Sequence, residues 1–292
     1  MLLQVAVNTI LTAAPLALVA VGFGIIFSVS RFFHFAHGVV FTAGAYCAFL
    51  LSTYAGFPVV VSIPVAVVTS AFLGCGIEII VYRPLRRRNS SPLVLLLASL
   101  GVYILLQNVI SLSFGDETRS MRRAVVAVGI SWLGVRITDV QVAVIAASVA
   151  VVTAVLLLME KAKMGTLMRG VGSNPMLAEV SGVSRDRVVL YSFGVGSALA
   201  GLAGTLVAMD VGMTPAMGLN ALMMSVVATV VGGVRSVSGV TLGAVFLSLA
   251  QHLGAWKISS RWQDAIAFVI LLAFLLVRPE GVLGKKVRKA TV

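Results

Sequence analysis

Residues 140–209 read VQVAVIAASVAVVTAVLLLMEKAKMGTLMRGVGSNPMLAEVSGVSRDRVVLYSFGVGSALAGLAGTLVAM. Two apolar runs, Val140–Met159 and Val188–Met209, enclose a polar stretch with five basic side chains: Lys161, Lys163, Arg169, Arg185 and Arg187. Each run has about the twenty residues that a helix needs to cross hydrocarbon. Backbone groups in lipid must bond within their own segment, which makes such runs helices. A membrane barrel would alternate apolar and polar residues in shorter segments, and these runs do not alternate. The polar stretch between them, 160–187, is therefore a loop joining two spans.

The same pattern fills the chain. Of its 292 residues 59% are hydrophobic and 11% charged, against about a quarter charged in soluble domains. Further apolar runs are Val5–Phe27, Val39–Tyr54, Val59–Tyr82, Leu93–Leu112, Leu219–Val231, Val240–Leu253 and Ala265–Val277. The first lacks the basic leader of a signal peptide and reads as a span, kinked at Pro15. These runs predict an all-α polytopic membrane protein, a single transmembrane domain over 1–292. Nine segments is the working count, within a range of about eight to ten because several runs are short. The Gly-punctuated short runs in the last third suggest half-helices or tilted spans near a pathway. The piece 124–132 reads as a short strand, or as a re-entrant or interfacial piece.

Charge sets the orientation. The net charge of +12 points to the membrane rather than to nucleic acid, because of how it is distributed. With loop 83–91 placed inside, sixteen basic residues fall on the cytoplasmic side: Arg31, four in 83–88, five in 161–187, Arg235, Arg278, Lys285, Lys286, Arg288 and Lys289. Six fall outside: Arg119, Arg122, Arg123, Arg136, Lys257 and Arg261. The positive-inside rule then gives an external N-terminus and a cytoplasmic C-terminus.

Gly196, Ala200 and Gly204 recur every fourth residue, which lets helices approach closely; the same face could line a moving gate. His34 and His37 are three apart, but two histidines do not make a metal site. Interfacial packing and a pathway role remain open for them. Cys47 and Cys75 lie in apolar runs and read as core residues. Glu78 is placed to pair at the inner interface, Gln107 and Asn108 to bond between helices, and Asp264 to start a helix. No phosphate loop, Ser-His-Asp set or HExxH motif is present. No catalytic, metal or cofactor site is expected, and a transport role is left.

Six elements in order carry a family resemblance. FHFAHGVVFTAGAY (33–46), YRPLRRR (82–88), LMRGVGSNPMLAEVSGVSRDRV (167–188), FGVGSALAGLAGTL (193–206), VVGGVRSVSGVTLGA (230–244) and RPEGVLG (278–284) together resemble the permeases of bacterial ABC importers for branched-chain amino acids and related amides. The chain is similar to the shorter permease type. His34 stands where asparagine is usual, Arg235 where glycine is usual, and Met224 where many relatives carry lysine.

The resemblance implies a bacterial inner-membrane complex of five parts. These are this chain, a second related permease, two ATP-binding subunits and an external substrate-binding protein. ATP and magnesium would sit on the partners, and the chain would not be an enzyme. Branched-chain or other small aliphatic amino acids are the implied cargo. Urea, short amides, or a secondary carrier's amino acid are the alternatives. The resemblance also marks 167–188 as the loop that docks on the ATPase, with Arg169, Asn174, Ala178 and Gly182 at the matching positions, and Met176, Leu177 and Glu179 complete the candidate docking residues. Local chemistry predicts a helix there over 175–180, capped by Asn174 and ended near Gly182. Its apolar face would be Met176, Leu177 and Val180, with Arg169 and Glu179 at the rim. His34, His37, Gly38, Gly44, Gly232 and Gly233 are the candidates for a pathway or gate.

Overall fold

The structure is a computed structural model that describes residues 2–121, 130–132, 135–234 and 236–283. Arg122, Arg123, Arg235 and the basic residues after 284 lie outside the described residues, as does most of the 124–132 piece.

Helix α1 is Leu2–Ser30 and α2 is Ala36–Phe49, extended by a π-helical turn at Leu50–Tyr54. Next come α3 (Val59–Ile77), a π turn at Glu78–Tyr82, and α4 (Arg83–Arg87). Ser91 accepts from Val94 N to cap α5, Pro92–Phe114. Strands β1 (Ile130–Trp132) and β2 (Val135–Ile137) form a small antiparallel hairpin. Thr138 and Gln141 make a capping box at the start of α6, Asp139–Lys161. The loop after α6 holds α7 (Lys163–Ser173) and α8 (Pro175–Val180). Then come α9 (Arg185–Val211), α10 (Met217–Gly232), α11 (Val237–Lys257), a 3-10 turn at Ser260–Trp262, and α12 (Gln263–Val277).

Among the described residues eight helical segments are long and apolar enough to cross a membrane, and α10 is a shorter apolar helix of sixteen residues. Two runs that looked short are longer. Segment α11 has 21 residues and Ser260–Val277 has 18. Helix extends past the apolar runs in both places, through 237–239 and 254–257 in α11 and from Ser260 onward before Ala265. The half-helix reading therefore narrows to α10. Helix α9 starts at Arg185, three residues before the apolar run. Asn108 bonds the carbonyl of Ile104 in its own helix at 2.8 Å, not a neighbouring helix.

Helices α1, α2 and α9 form the interior. In each, 72% of the most apolar window is buried, against 17% for α5 and 6% for α12. Lipid offers no hydrophobic drive between helices, so close packing must hold them together. Helix α9 is rich in Gly, Ala and Ser and packs on α1, α2 and α3 at once. A Cβ at Gly196 would stand 2.7 Å from the Gly22 carbonyl of α1. One at Gly204 would strike the Phe41 carbonyl of α2. Ala200, between them, is fully buried.

The contacts sort the connections into two faces. On one, Arg31 bonds the carbonyl of Gly172, and Asp186 pairs with Arg83, Arg86 and Arg87. A cavity of about 610 Å³ there joins Ser28, Ser173, Ser236 and Leu283. On the other, Gln4 accepts from Arg136 N at 3.1 Å, and Arg119 bridges to Met213.

Candidate functional site

The basic face carries the clearest built feature. Asn174 Oδ1 accepts from Leu177 N at 3.0 Å, and Pro175 follows at the first helical position, so α8 begins by side-chain capping. It ends in a Schellman motif: Gly182 N donates to Glu179 O and Val183 N to Ala178 O, each at 3.0 Å. Gly182 adopts φ +82°, a conformation that glycine takes without strain. Both ends being fixed, a six-residue helix keeps a defined face. Ala178 turns toward the core. Met176 is 78% exposed, Leu177 63% and Val180 81%. Three large apolar side chains thus stand free on a polar face, beside exposed Glu179.

The base of this loop is clamped. Arg169 donates to the carbonyl of Met159 at the end of α6 and to Thr166 Oγ1. Its guanidinium is thus anchored at the foot of α7 while the side chain stays exposed. Arg31, at the α1–α2 junction, donates to Gly172 and Ser173 at the end of α7. At the start of α9, Asp186 Oδ2 lies 3.0 Å from Arg83 Nε, and its Oδ1 lies 2.9 Å from Arg86 Nη2. Arg86 also meets the buried Glu78 Oε1 at 2.5 Å. This network ties α3, α4 and α9 together. Asp186 is about a hundred residues from its arginines, and no local pattern in the sequence announces that pairing, whereas Glu78 and Arg86 are 8 residues apart.

The two histidines lie inside the bundle, both fully buried. After α1 the chain turns at Arg31, φ +62°, and re-enters as a non-helical piece before α2 begins. His34 Nδ1 and the Tyr82 hydroxyl share a hydrogen bond of 3.0 Å, and His37 Nε2 donates to Val19 O at 3.2 Å. Phe32, Tyr82 and Phe193 surround His34. A turn later Gly38 backs onto Gly218, so the first turns of α2 and α10 meet inside the protein. Gly44 packs on Gly201 of α9. Gly232 packs on Gly239, while Gly233, φ +101°, receives the returning segment at Gly281. The structure therefore splits the pathway candidates into two groups. His34 lies just before α2 and His37, Gly38 and Gly44 lie within it, and Gly232 and Gly233 lie at the end of α10.

A cavity of about 510 Å³ opens on the side of this junction away from the basic loop. It is lined by α1, α6, α9, α10 and α11. Its polar members, among them Asn8, Thr12, Asn220, Ser248, Gln251 and His252, were not singled out in the sequence. Each sits in an apolar run, where a single polar residue gives little signal.

A family model described as "Branched-chain amino acid transport system / permease component" matches residues 5–275. The high-affinity branched-chain amino acid transport system permease protein BraD of Pseudomonas aeruginosa is 30% identical over 297 residues, covering 97% of this chain and 96% of BraD. The corresponding permease protein LivH of Escherichia coli K12 is 30% identical over 302 residues, covering 97% and 96%. The autoinducer 2 import system permease protein LsrC of Photorhabdus laumondii is 32% identical over 127 residues, covering 41% of this chain and 38% of LsrC. No solved structure matches the chain.

Proposed function

The chain belongs to the family of branched-chain amino acid transport permeases, and from that membership we propose that it passes aliphatic amino acids inward under the drive of a partner ATPase. It is a multi-pass inner-membrane permease subunit of the ABC importer class, and a transport subunit rather than an enzyme. Permeases of this class work with ATP-binding and substrate-binding partners. The finer assembly is our reading: a second related permease, two ATP-binding subunits that hold ATP and magnesium, and one external binding protein. The basic face is the cytoplasmic one. The N-terminus is external and the C-terminus cytoplasmic, as the sixteen-to-six split of basic residues supports.

The observation that carries the reading is the exposed triad of Met176, Leu177 and Val180 on a helix fixed at both ends. Burying each such side chain is worth about 1.5–3 kcal/mol, a strong incentive to dock in a groove. Helices α7 and α8 would pass ATPase motion through the Arg31 and Asp186 clamps into α1, α3 and α9. Substrate exchange then follows from two states with different affinities. A secondary carrier would need a coupling acid within the bundle, and the buried Glu78 is already paired with Arg86.

The test of cargo is uptake by the whole importer, reconstituted with its own binding protein. Radiolabelled leucine, isoleucine or valine should accumulate with ATP. Uptake of urea with none of these amino acids would reverse the assignment.

A further inference from the structure

We propose that the cavity of about 510 Å³ between α1, α10 and α11 is a transient binding site for the zwitterion of an aliphatic α-amino acid on its way through the importer. The inference rests on the amino-acid reading above and adds the place and the chemistry. The volume lies in the range of about 300–1,000 Å³ usual for small-molecule sites.

Three helices each offer one face to it. From α1 come Asn8, Thr12, Pro15 and Val19, from α10 Met217, Asn220 and Met224, and from α11 Ser248 and His252. Spacings of three and four keep each set on one side of its helix. The lining has two characters. Hydroxyl, amide and imidazole groups of α1, α10 and α11, with Gln141 of α6 and the carboxylate of Asp210 on α9, make a polar wall, and Thr12 Oγ1 and His252 Nε2 lie 3.0 Å apart across it. Leu16, Val19, Val144, Val207 and Met224 make the apolar wall.

A lipid chain would suit the second wall but leave the first unmatched, and polar groups held from water without partners are costly. One is already present: Ser248 Oγ is buried, lines the cavity and has no hydrogen-bond partner among the described residues. The first turn of α10 also borders the cavity, and the positive end of a helix dipole favours a carboxylate. A small amphiphile with a charged head and an aliphatic tail satisfies both walls at once. The floor of the cavity is Val19 and Phe41, beside the junction where α2 and α10 begin. Ligand there would rest on the part of the fold made of interrupted helices, the element most able to change shape in a transporter.

The experiment uses the reconstituted complex of permeases, ATPases and binding protein in proteoliposomes, with leucine as the probe. Ala221 of α10 also lines the cavity, and Ala221→Phe, which puts a ring into it, should cut leucine uptake at least tenfold. Assembly, and stimulation of ATP hydrolysis by the loaded binding protein, should be retained. Ser248→Ala, a small change that any fold tolerates, should cut uptake several-fold. It should also abolish the thermal shift that millimolar leucine gives the complex without its binding protein, and Ser248→Thr should restore both. Wild-type uptake by Ser248→Ala with an unchanged thermal shift overturns the site, whatever becomes of Ala221→Phe. Absence of leucine uptake by the unmodified complex overturns the amino-acid reading and the proposed ligand with it.

Discussion

Arg86 Nη2 lies 2.9 Å from Asp186 Oδ1, and the same guanidinium reaches Glu78 Oε1 at 2.5 Å. One side chain of the loop after α3 thus holds a carboxylate of the third span and another at the root of α9. The two bonds differ in burial. Asp186 is partly exposed, whereas Glu78 is only 1% exposed. An exposed pair is worth about 0–1 kcal/mol, but removing one partner of a buried pair costs about 3–5 kcal/mol.

Arg86→Ala should therefore destabilise strongly, by leaving Glu78 charged and buried. Glu78→Gln should cost less, and adding it to Arg86→Ala should recover much of the loss. Thermal unfolding of the purified complex in mild detergent measures all three. A double variant no more stable than Arg86→Ala would show that Arg86 acts through its bonds to Asp186 or through its stem.

Close packing gives the second prediction. Gly204→Leu would drive a side chain into the Phe41 carbonyl and should prevent assembly of the folded protein. Gly101→Leu is the matched control, because a Cβ there meets nothing within 4 Å on a lipid-facing part of α5. Yield of monodisperse complex should fall for the first and hold for the second. Equal yields would deny α9 its central place.

The third prediction concerns sidedness. In a variant with Cys47 and Cys75 replaced by Ala, single cysteines at Ser90 and Ser173 should escape a membrane-impermeant thiol reagent in intact cells. A cysteine at Glu117, exposed on the opposite face, should react. Labelling of Ser90→Cys and Ser173→Cys with no reaction at Glu117→Cys would invert the topology.

Much of this architecture is written in local chemistry. Twenty-residue apolar runs need no tertiary information to be helices in lipid. The span of α8 is legible because Asn174-Pro175 and Gly182 act on their own backbone neighbours. Polar residues inside spans are harder. Ser238 lies outside the run Val240–Leu253, yet α11 includes it, and it borders the cavity on the basic face. The Arg86–Asp186 half of the Glu78–Arg86–Asp186 network is invisible for another reason: it is created by α3 and α9 packing side by side. The sequence shows Glu78 as an acid near an inner interface but not its partner. Likewise Gly196, Ala200 and Gly204 are visible as a small-residue stripe, while Gly22, Gly201 and Gly218 are seen to matter only once the helices they face are known.

The last prediction concerns α8. Leu177 lies in the middle of the exposed triad and donates its backbone N–H to the Asn174 cap. Its side chain can thus be changed while the cap remains. Leu177→Asp should insert and fold as wild type, since the side chain packs on nothing in the protomer core. It should nevertheless release the ATPase, because a carboxylate buried in an apolar groove lacks a partner and costs several kcal/mol. Asn174→Ala attacks the same element from its backbone. Losing the cap costs about 0.5–2 kcal/mol, so it should weaken ATPase retention without abolishing it. The graded order of wild type, Asn174→Ala and Leu177→Asp in ATPase co-purification and ATP-driven uptake, at matched expression, is the expected result. An amphipathic helix lying on the membrane surface would give a different pattern, with the ATPase retained and membrane insertion impaired. Full ATPase retention and normal uptake by Leu177→Asp would remove α8 from the coupling path.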